Sequence, residues 1–183
     1  MNGKRACGSI AILFVTLSIA NPSSGSEVNR LKAKKAVEEA RIARCIRASA
    51  AGRSWLEKTL WGLRDQEAGW VGAEVANRDG SHDLGPMQIN SWWVGKIAAI
   101  TRARPELVRW WLANDACFNV NAARWIFLSG LAATGEYWKA VGTYHSPTAW
   151  RQQRYAAAVS NHLRRRYGRD IFGSGTPKAA PRR

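Results

Sequence analysis

Glu67 is the residue in this sequence whose position best suits acid–base chemistry. Leu56, Leu60 and Leu63 recur at helical spacing, and the same stripe continued to i+11 reaches Glu67. A carboxyl group in apolar surroundings is harder to ionise, so its pKa rises and it keeps a proton near neutral pH. Cleavage of a glycosidic bond requires such a group, because the leaving oxygen must be protonated. The alternative is a solvent-exposed Glu where the helix ends, and periodicity alone leaves that alternative open.

The helix that carries Glu67 is predicted to start at Ser54. Ser54 and Glu57 match the capping-box pattern, in which a hydroxyl accepts from the backbone of the fourth residue and the carboxylate reaches back. Gly69 is predicted to end this helix, since glycine readily adopts the left-handed conformation that follows a helix.

The segment after this helix is predicted to be a small β-lobe. Residues 70–85 show little helical pattern, and residues 77–80, Asn-Arg-Asp-Gly, are a strong turn sequence. Val75 and Leu84 flank the turn, as expected for a short hairpin.

The rest of the chain is mostly helical in pattern. A basic, largely exposed helix is predicted from Glu27 to about Ala51, before Gly52. Further helices are predicted to start at Pro105-Glu106, to be capped by Asn114-Asp115 and run to about Leu131, and to cover residues 135–144 and 148–167. The basic tail, residues 171–183, is expected to be disordered from Gly173 onward.

The strongly basic composition predicts an anionic partner. The net charge is +15. Ten tryptophans exceed what a core of this size needs, and such an excess is typical of a groove that stacks on sugars; a core rich in tryptophan is the alternative and accounts for most of the ten. A cell wall, a membrane surface or nucleic acid would suit this charge, and a merely solubilising surface would also explain it. Export argues against nucleic acid.

The amino terminus has the pattern of a secretory signal, predicted over residues 1–26. Lys4 and Arg5 precede an apolar stretch, Ile10 to Ala20, and small and polar residues follow. The alternative is a retained membrane anchor, but the apolar stretch is short for a bilayer and no later segment qualifies. We therefore expect a periplasmic protein without a transmembrane segment after cleavage.

The cysteines predict one disulfide. Signal cleavage would remove Cys7 and leave Cys45 and Cys117 in an oxidising compartment. The sequence has no Cys-x-x-Cys, and its three histidines show no ligand spacing, so neither a metal site nor a cofactor is expected.

Longer motifs resemble a known family. They comprise Glu67-Ala68-Gly69-Trp70, residues 77–93 with Gly-Pro-Met-Gln-Ile-Asn, residues 117–122, residues 140–146, and Arg154-Tyr155. Together these segments resemble the lysozyme-like superfamily over nearly the whole range from Cys45 to Tyr167. Their combination is most similar to the specialised lytic transglycosylases of conjugation and type IV secretion systems, which open the cell wall for an envelope-spanning machine.

The resemblance implies a fold and an activity. The fold would be mostly helical α+β, with a helical bundle and a small β-lobe flanking a cleft in residues 45–170, after a basic helical lead-in at residues 27–44. Glu67 would protonate the bond between N-acetylmuramic acid and N-acetylglucosamine in peptidoglycan, then act as base while the sugar's 6-hydroxyl closes a 1,6-anhydro ring. Ala68 departs from the Ser or Gly common in the family, which removes a hydroxyl that could orient the carboxylate.

The resemblance also implies substrate-binding residues. Met87, Gln88 and Asn90 belong to the Met-Gln-Ile-Asn turn, and the two amides can donate to and accept from sugar hydroxyls and acetamides. Tyr144 matches an aromatic residue opposite the glutamate, although a plain core aromatic is an equal alternative. His82 and His145 are interpreted as structural, because no paired Ser or Cys nucleophile accompanies them.

Asp83 leaves two reactions open. It follows Glu67 by sixteen positions and resembles the second carboxylate of animal-type lysozymes, and a retaining hydrolase needs two carboxyls about 5–5.5 Å apart. Alternatively, it accepts backbone amides in its hairpin. The segment of Tyr144-His145-Ser146 favours the transglycosylase. True lysozyme and a non-catalytic, wall-binding component of a secretion or conjugation apparatus remain the alternatives.

Overall fold

The computed structural model describes residues 24–172. The predicted signal segment therefore lies outside the described residues except for its last three, and the predicted tail lies outside them from residue 173. Two compact units are distinguished, Met1–Lys34 and Lys35–Arg183. In the first, residues 24–34 are helical. Across residues 24–172, no helix is both long and apolar enough to cross a bilayer.

The described residues contain seven helices and three short strands, which confirms the predicted α+β, mostly α class. In chain order they are α1 (Ser24–Ala50), α2 (Ser54–Glu67), β1 (Glu74–Ala76), β2 (His82–Leu84), β3 (Ile89–Asn90), α3 (Trp93–Thr101), α4 (Pro105–Asn114), α5 (Ala116–Thr134), α6 (Tyr137–His145) and α7 (Ala149–Tyr167).

The core lies between α2 and the carboxyl-terminal helices. Leu56, Leu60 and Leu63 are fully buried, as the apolar stripe predicted. Helix α2 packs on α7, α7 on α6, and α6 on α5. At Gly62 the side chains of α7 pack directly against the α2 backbone, and an added Cβ would lie 2.8 Å from Leu163 Cγ. This close packing of α2 on α7 positions the last residue of α2, Glu67.

Helix α2 starts at Ser54 as predicted, but the capping predicted for its two ends is wrong. Ser54 is the first helical residue, and the N-cap is Arg53, which makes no side-chain capping bond. Its extended backbone instead lets the Arg53 carbonyl accept from the N–H groups of Leu56 and Glu57. At the other end Ala68, at φ 49°, takes the left-handed position that was assigned to Gly69.

Gly69 has a different role, because the β-lobe approaches its backbone closely. An added Cβ would lie 2.3 Å from the carbonyl oxygen of Gly85 and 2.7 Å from Nε2 of Gln88. A side chain at residue 69 would therefore push the lobe away from the end of α2.

The lobe is the predicted hairpin extended by a third strand. Strands β1 and β2 pair antiparallel, with Ala76 opposite His82, and the turn closes by a bond from the Asn77 N–H to the Ser81 carbonyl. Gly80, at φ 81°, supplies the left-handed position in that turn. Strand β3 then pairs with β2. Its two residues are too few for a periodic pattern, so the sequence did not reveal it.

Helix α1 joins the core only in its second half. Ile42, Cys45 and Ile46 are buried, whereas most residues before Ile42 are exposed. Cys45 forms the predicted disulfide with Cys117 at the start of α5, with 4.8 Å between the two Cα atoms. The predicted cap of α5 is also confirmed, because the Asp115 carboxylate accepts from the backbone of Cys117 and Phe118.

Candidate active site

A cavity of about 460 Å³, called here the first cavity, lies between the β-lobe and the helices. Five of the six residues predicted to act on or bind a substrate line it: Glu67, Asp83, Gln88, Asn90 and Tyr144. Further lining side chains include Arg78, Trp93, Ile126, His145 and Arg151. The fold thus brings the end of α2, the lobe and the carboxyl-terminal helices to a single place.

Glu67 is the last residue of α2 and is partly buried. Loss of hydration on burial raises the pKa of its carboxyl group from 4.5 to about 7. A hydrogen bond from Tyr155 opposes this rise, and the negative charge of Asp83 adds to it. The group is therefore divided between its acid and carboxylate forms near neutral pH, so that it can both give and take a proton.

Tyr155, from α7, is the direct partner of this carboxyl group. Its hydroxyl donates to Oε1 of Glu67. The ring is buried, and burial raises the pKa of the phenol well above its usual range, so Tyr155 stays a neutral donor. The His145 ring stacks on it, with centroids 4.7 Å apart and planes 3° apart, which holds the phenol in place. The sequence prediction did not include Tyr155 among the site residues, although Arg154-Tyr155 was part of the family motif.

Tyr144 lines the first cavity and braces its wall. Its hydroxyl donates to the carbonyl oxygen of Met87 at 2.9 Å, and burial raises the pKa of this phenol well above its usual range. Met87 itself is fully buried and is not among the cavity-lining residues. Its side chain therefore belongs to the core, contrary to the expectation that it contacts substrate.

Asn119 fixes the turn that carries these residues. Although fully buried, its amide donates to the carbonyls of Leu84 and Leu112, each at 2.8 Å, and accepts from the Met87 N–H at 2.8 Å. Gly85 lies within this arrangement at φ 66°, where an added Cβ would be 2.2 Å from the Leu112 carbonyl oxygen. No local residue pattern indicates this role, although Asn119 lies in one of the segments that resemble the lysozyme-like superfamily.

Asp83 and Asn90 face each other across strands β2 and β3. Nδ2 of Asn90 donates to Asp83 Oδ1 at 3.1 Å and to Ser81 Oγ at 2.9 Å, while its Oδ1 accepts from the Trp92 N–H at 3.0 Å. Asn90 is predicted to bind sugar and lines the cavity, and its amide also orients Asp83 and the lobe. Asp83 accepts from this side chain and lies on the cavity wall.

Gln88 adopts a left-handed backbone conformation, at φ 47°. Its Nε2 donates to the Gly85 carbonyl oxygen at 2.9 Å. This bond holds the amide against the turn at the edge of the first cavity. Within the described part of the chain, no cluster of three His, Cys, Asp or Glu side chains could hold a metal ion.

Comparison with known proteins finds distant relatives. No family model matches the chain. Invasion protein IagB of Salmonella typhimurium (strain SL1344) is 31% identical over 114 residues, and the Salmonella typhi protein of the same name is 30% identical over 114 residues. The matched segment covers 62% of this chain and 63% of each relative. The chain is thus similar to invasion protein IagB over somewhat less than two thirds of either protein.

Proposed function

We propose that this protein is a peptidoglycan lytic transglycosylase. It cleaves the β-1,4 bond between N-acetylmuramic acid and N-acetylglucosamine and leaves a 1,6-anhydro end on the muramic acid. The observation that carries the proposal is the burial of Glu67 on the wall of a cavity large enough for sugar rings, where loss of hydration raises its pKa to about 7. The similarity to invasion protein IagB and the sequence motifs of the lytic transglycosylases support it.

The reaction needs a single carboxyl group that works twice. Protonated Glu67 gives its proton to the glycosidic oxygen as the bond from that oxygen to C1 breaks. The positive charge that develops at C1 is captured by the 6-hydroxyl of the same sugar, and its proton passes to the Glu67 carboxylate. The acid form is restored and no water is consumed. Between the two steps the Tyr155 hydroxyl stabilises the carboxylate by donating to it.

The remaining site residues have supporting roles. Gln88 and Tyr144 border the space where the reacting sugar would lie, and Asn90 holds Asp83 in place. Asp83 would stabilise the positive charge at C1 electrostatically, since it lines the same cavity as Glu67.

Hydrolysis as in a true lysozyme is the second candidate. It is favoured by one observation: the charge of Asp83 acts on Glu67 and contributes to its raised pKa. Two carboxyl groups that interact in one cavity are the arrangement a retaining hydrolase uses. In that case water, rather than the 6-hydroxyl, would capture C1.

Mass spectrometry of digested sacculi tests the proposal. The wild type is expected to release anhydromuropeptides, and Glu67→Gln to release none. Reducing-end muropeptides from the wild type, lost in Asp83→Asn, would show the hydrolase instead. If Glu67→Gln still cleaved sacculi, the assigned role of Glu67 would be wrong. If the wild type bound sacculi without cutting them, a non-catalytic wall-binding component would be the better description.

The cellular setting follows from the substrate. Peptidoglycan lies in the cell envelope, so we propose that the protein is exported to the periplasm and opens the wall for an envelope-spanning conjugation or secretion apparatus. The relatives are named for invasion, which gives no support for conjugation or a type IV system in particular.

A further inference from the structure

A second cavity, of about 300 Å³, lies beside the first at the start of α7. Its lining includes Gln66, His145, Trp150, Arg151, Arg154 and Tyr155. His145 and Arg151 also line the first cavity, so the two spaces share a wall.

The proposed catalytic group, Glu67, lines the first cavity and contacts a residue that lines the second. The side chain of Tyr155 lines the second cavity, while its hydroxyl donates to Glu67, which lines the first. A polymer that lies with its scissile bond at Glu67 would therefore extend an adjoining sugar or its substituent into the second cavity.

The second cavity combines an aromatic surface with positive charge. The Trp150 side chain is 58% exposed, which is unusual for a large apolar ring. An exposed indole ring can stack on the flat face of a sugar. The Arg151 guanidinium lies 5.3 Å from the centroid of that ring. Arg154 follows one helical turn after Trp150 on the same face of α7. Among the described residues that line this cavity none is acidic.

Arginine at such a place points to a carboxylate ligand. A guanidinium matches a carboxylate in shape and charge and can bind it with two parallel hydrogen bonds. Arg151 and Arg154 are both exposed, so a ligand can reach them without rearrangement of the core.

We propose that the second cavity is a subsite for the carboxylate-bearing amino sugar of the strand. Trp150 stacks on the ring, and Arg151 with Arg154 binds the carboxylate. This inference rests on the proposed function for the identity of the polymer. The carboxylate belongs either to the lactyl group of a bare strand or to a stem peptide.

Binding to the non-cleaving Glu67→Gln protein, measured by calorimetry, tests the subsite. Three ligands are compared: chitohexaose, which has no carboxylate; glycan strands stripped of peptides, which expose the lactyl carboxylate; and strands that keep their peptides. Arg154→Gln, added to Glu67→Gln, is expected to lower the affinity for one or both acidic ligands by about tenfold. Its affinity for chitohexaose should stay within about twofold of the parent's. Trp150→Ala should lower the affinity for all three ligands. The acidic ligand that responds to Arg154→Gln identifies the source of the carboxylate.

Two surface substitutions serve as matched controls. Trp110, on α4, is also 58% exposed, and Arg164 is an exposed arginine in the last turn of α7; neither lines the two cavities. Trp110→Ala and Arg164→Gln should bind all three ligands as the parent does. Thermal unfolding checks that every variant is folded, which is expected because the side chains changed in addition to Glu67 are exposed.

The outcomes separate this inference from the proposed function. If Trp150→Ala and Arg154→Gln bind like the controls while the wild type cuts sacculi, the subsite is refuted and the function stands. If Arg154→Gln lowers the affinity for chitohexaose as much as that for the acidic strands, carboxylate recognition is refuted. If the wild type never cuts sacculi but the acidic strands still depend on Trp150 and Arg154, the subsite stands without the catalytic role.

Discussion

The raised pKa of Glu67 has a measurable consequence for stability. Folding moves this pKa from 4.5 to about 7, so between these pH values the folded protein binds more protons at Glu67 than the unfolded chain does. Stability from this group is therefore fully present below about pH 4.5 and is lost as the pH rises through about 7. At about 1.4 kcal/mol for each pKa unit, the loss amounts to about 3 kcal/mol.

Glu67→Gln isolates this contribution, because glutamine has nearly the same shape and does not ionise. Its side-chain oxygen can still accept from the Tyr155 hydroxyl. The free energy of unfolding of the variant minus that of wild type is therefore expected to increase by about 3 kcal/mol between pH 4 and pH 8. Other titrating groups cancel in this difference.

Urea unfolding at half-unit pH intervals, with the disulfide intact, measures the difference. Glu106→Gln, which changes an exposed glutamate on α4, is the matched control and should vary by about 1 kcal/mol or less. A flat profile for Glu67→Gln would mean that the folded protein ionises this carboxyl as easily as the unfolded chain does. The proposed acid would then lose its proton well below neutral pH, and the mechanism would lose its basis.

Three further predictions concern the supports of the site. Tyr155→Phe removes a hydrogen bond that lowers the pKa of Glu67, so that pKa should rise above about 7. The limb of the pH–activity profile that falls toward high pH should therefore shift to higher pH. A profile identical to that of wild type would show that the hydrogen bond is absent in solution. Replacing Cys45 and Cys117 by serine should lower the free energy of unfolding, measured in urea, by about 2–4 kcal/mol. If the mature wild type, denatured without reduction, has two titratable thiols, the disulfide does not form. Gly62→Ala should destabilise the protein by about 1–3 kcal/mol, because the new methyl group meets Leu163; an unchanged melting temperature would contradict the close packing of α2 on α7.

Local patterns were enough to predict most of the secondary structure. The stripe of Leu56, Leu60 and Leu63, the turn before β2 and the cap at Asp115 each depend on neighbours a few residues away. The capping box at Ser54 does not form, because the Arg53 carbonyl already accepts from the Glu57 N–H that the serine hydroxyl would have bonded. Which acceptor bonds the first N–H groups of a helix is a local competition, and a residue pattern alone does not decide it.

The sequence by itself determined that a glutamate ends an apolar helix before a β-lobe, and motif resemblance added the neighbouring residues. Only the tertiary structure decided which groups meet. Tyr155 bonds to Glu67 across 88 positions, Met87 lies in the core, and Asn90 bonds to Asp83. The physical reason is that periodicity records which face of an element avoids water, whereas a hydrogen bond between distant elements depends on how those faces pack. The pKa of Glu67 is set by that packing, so only the folded chain shows it.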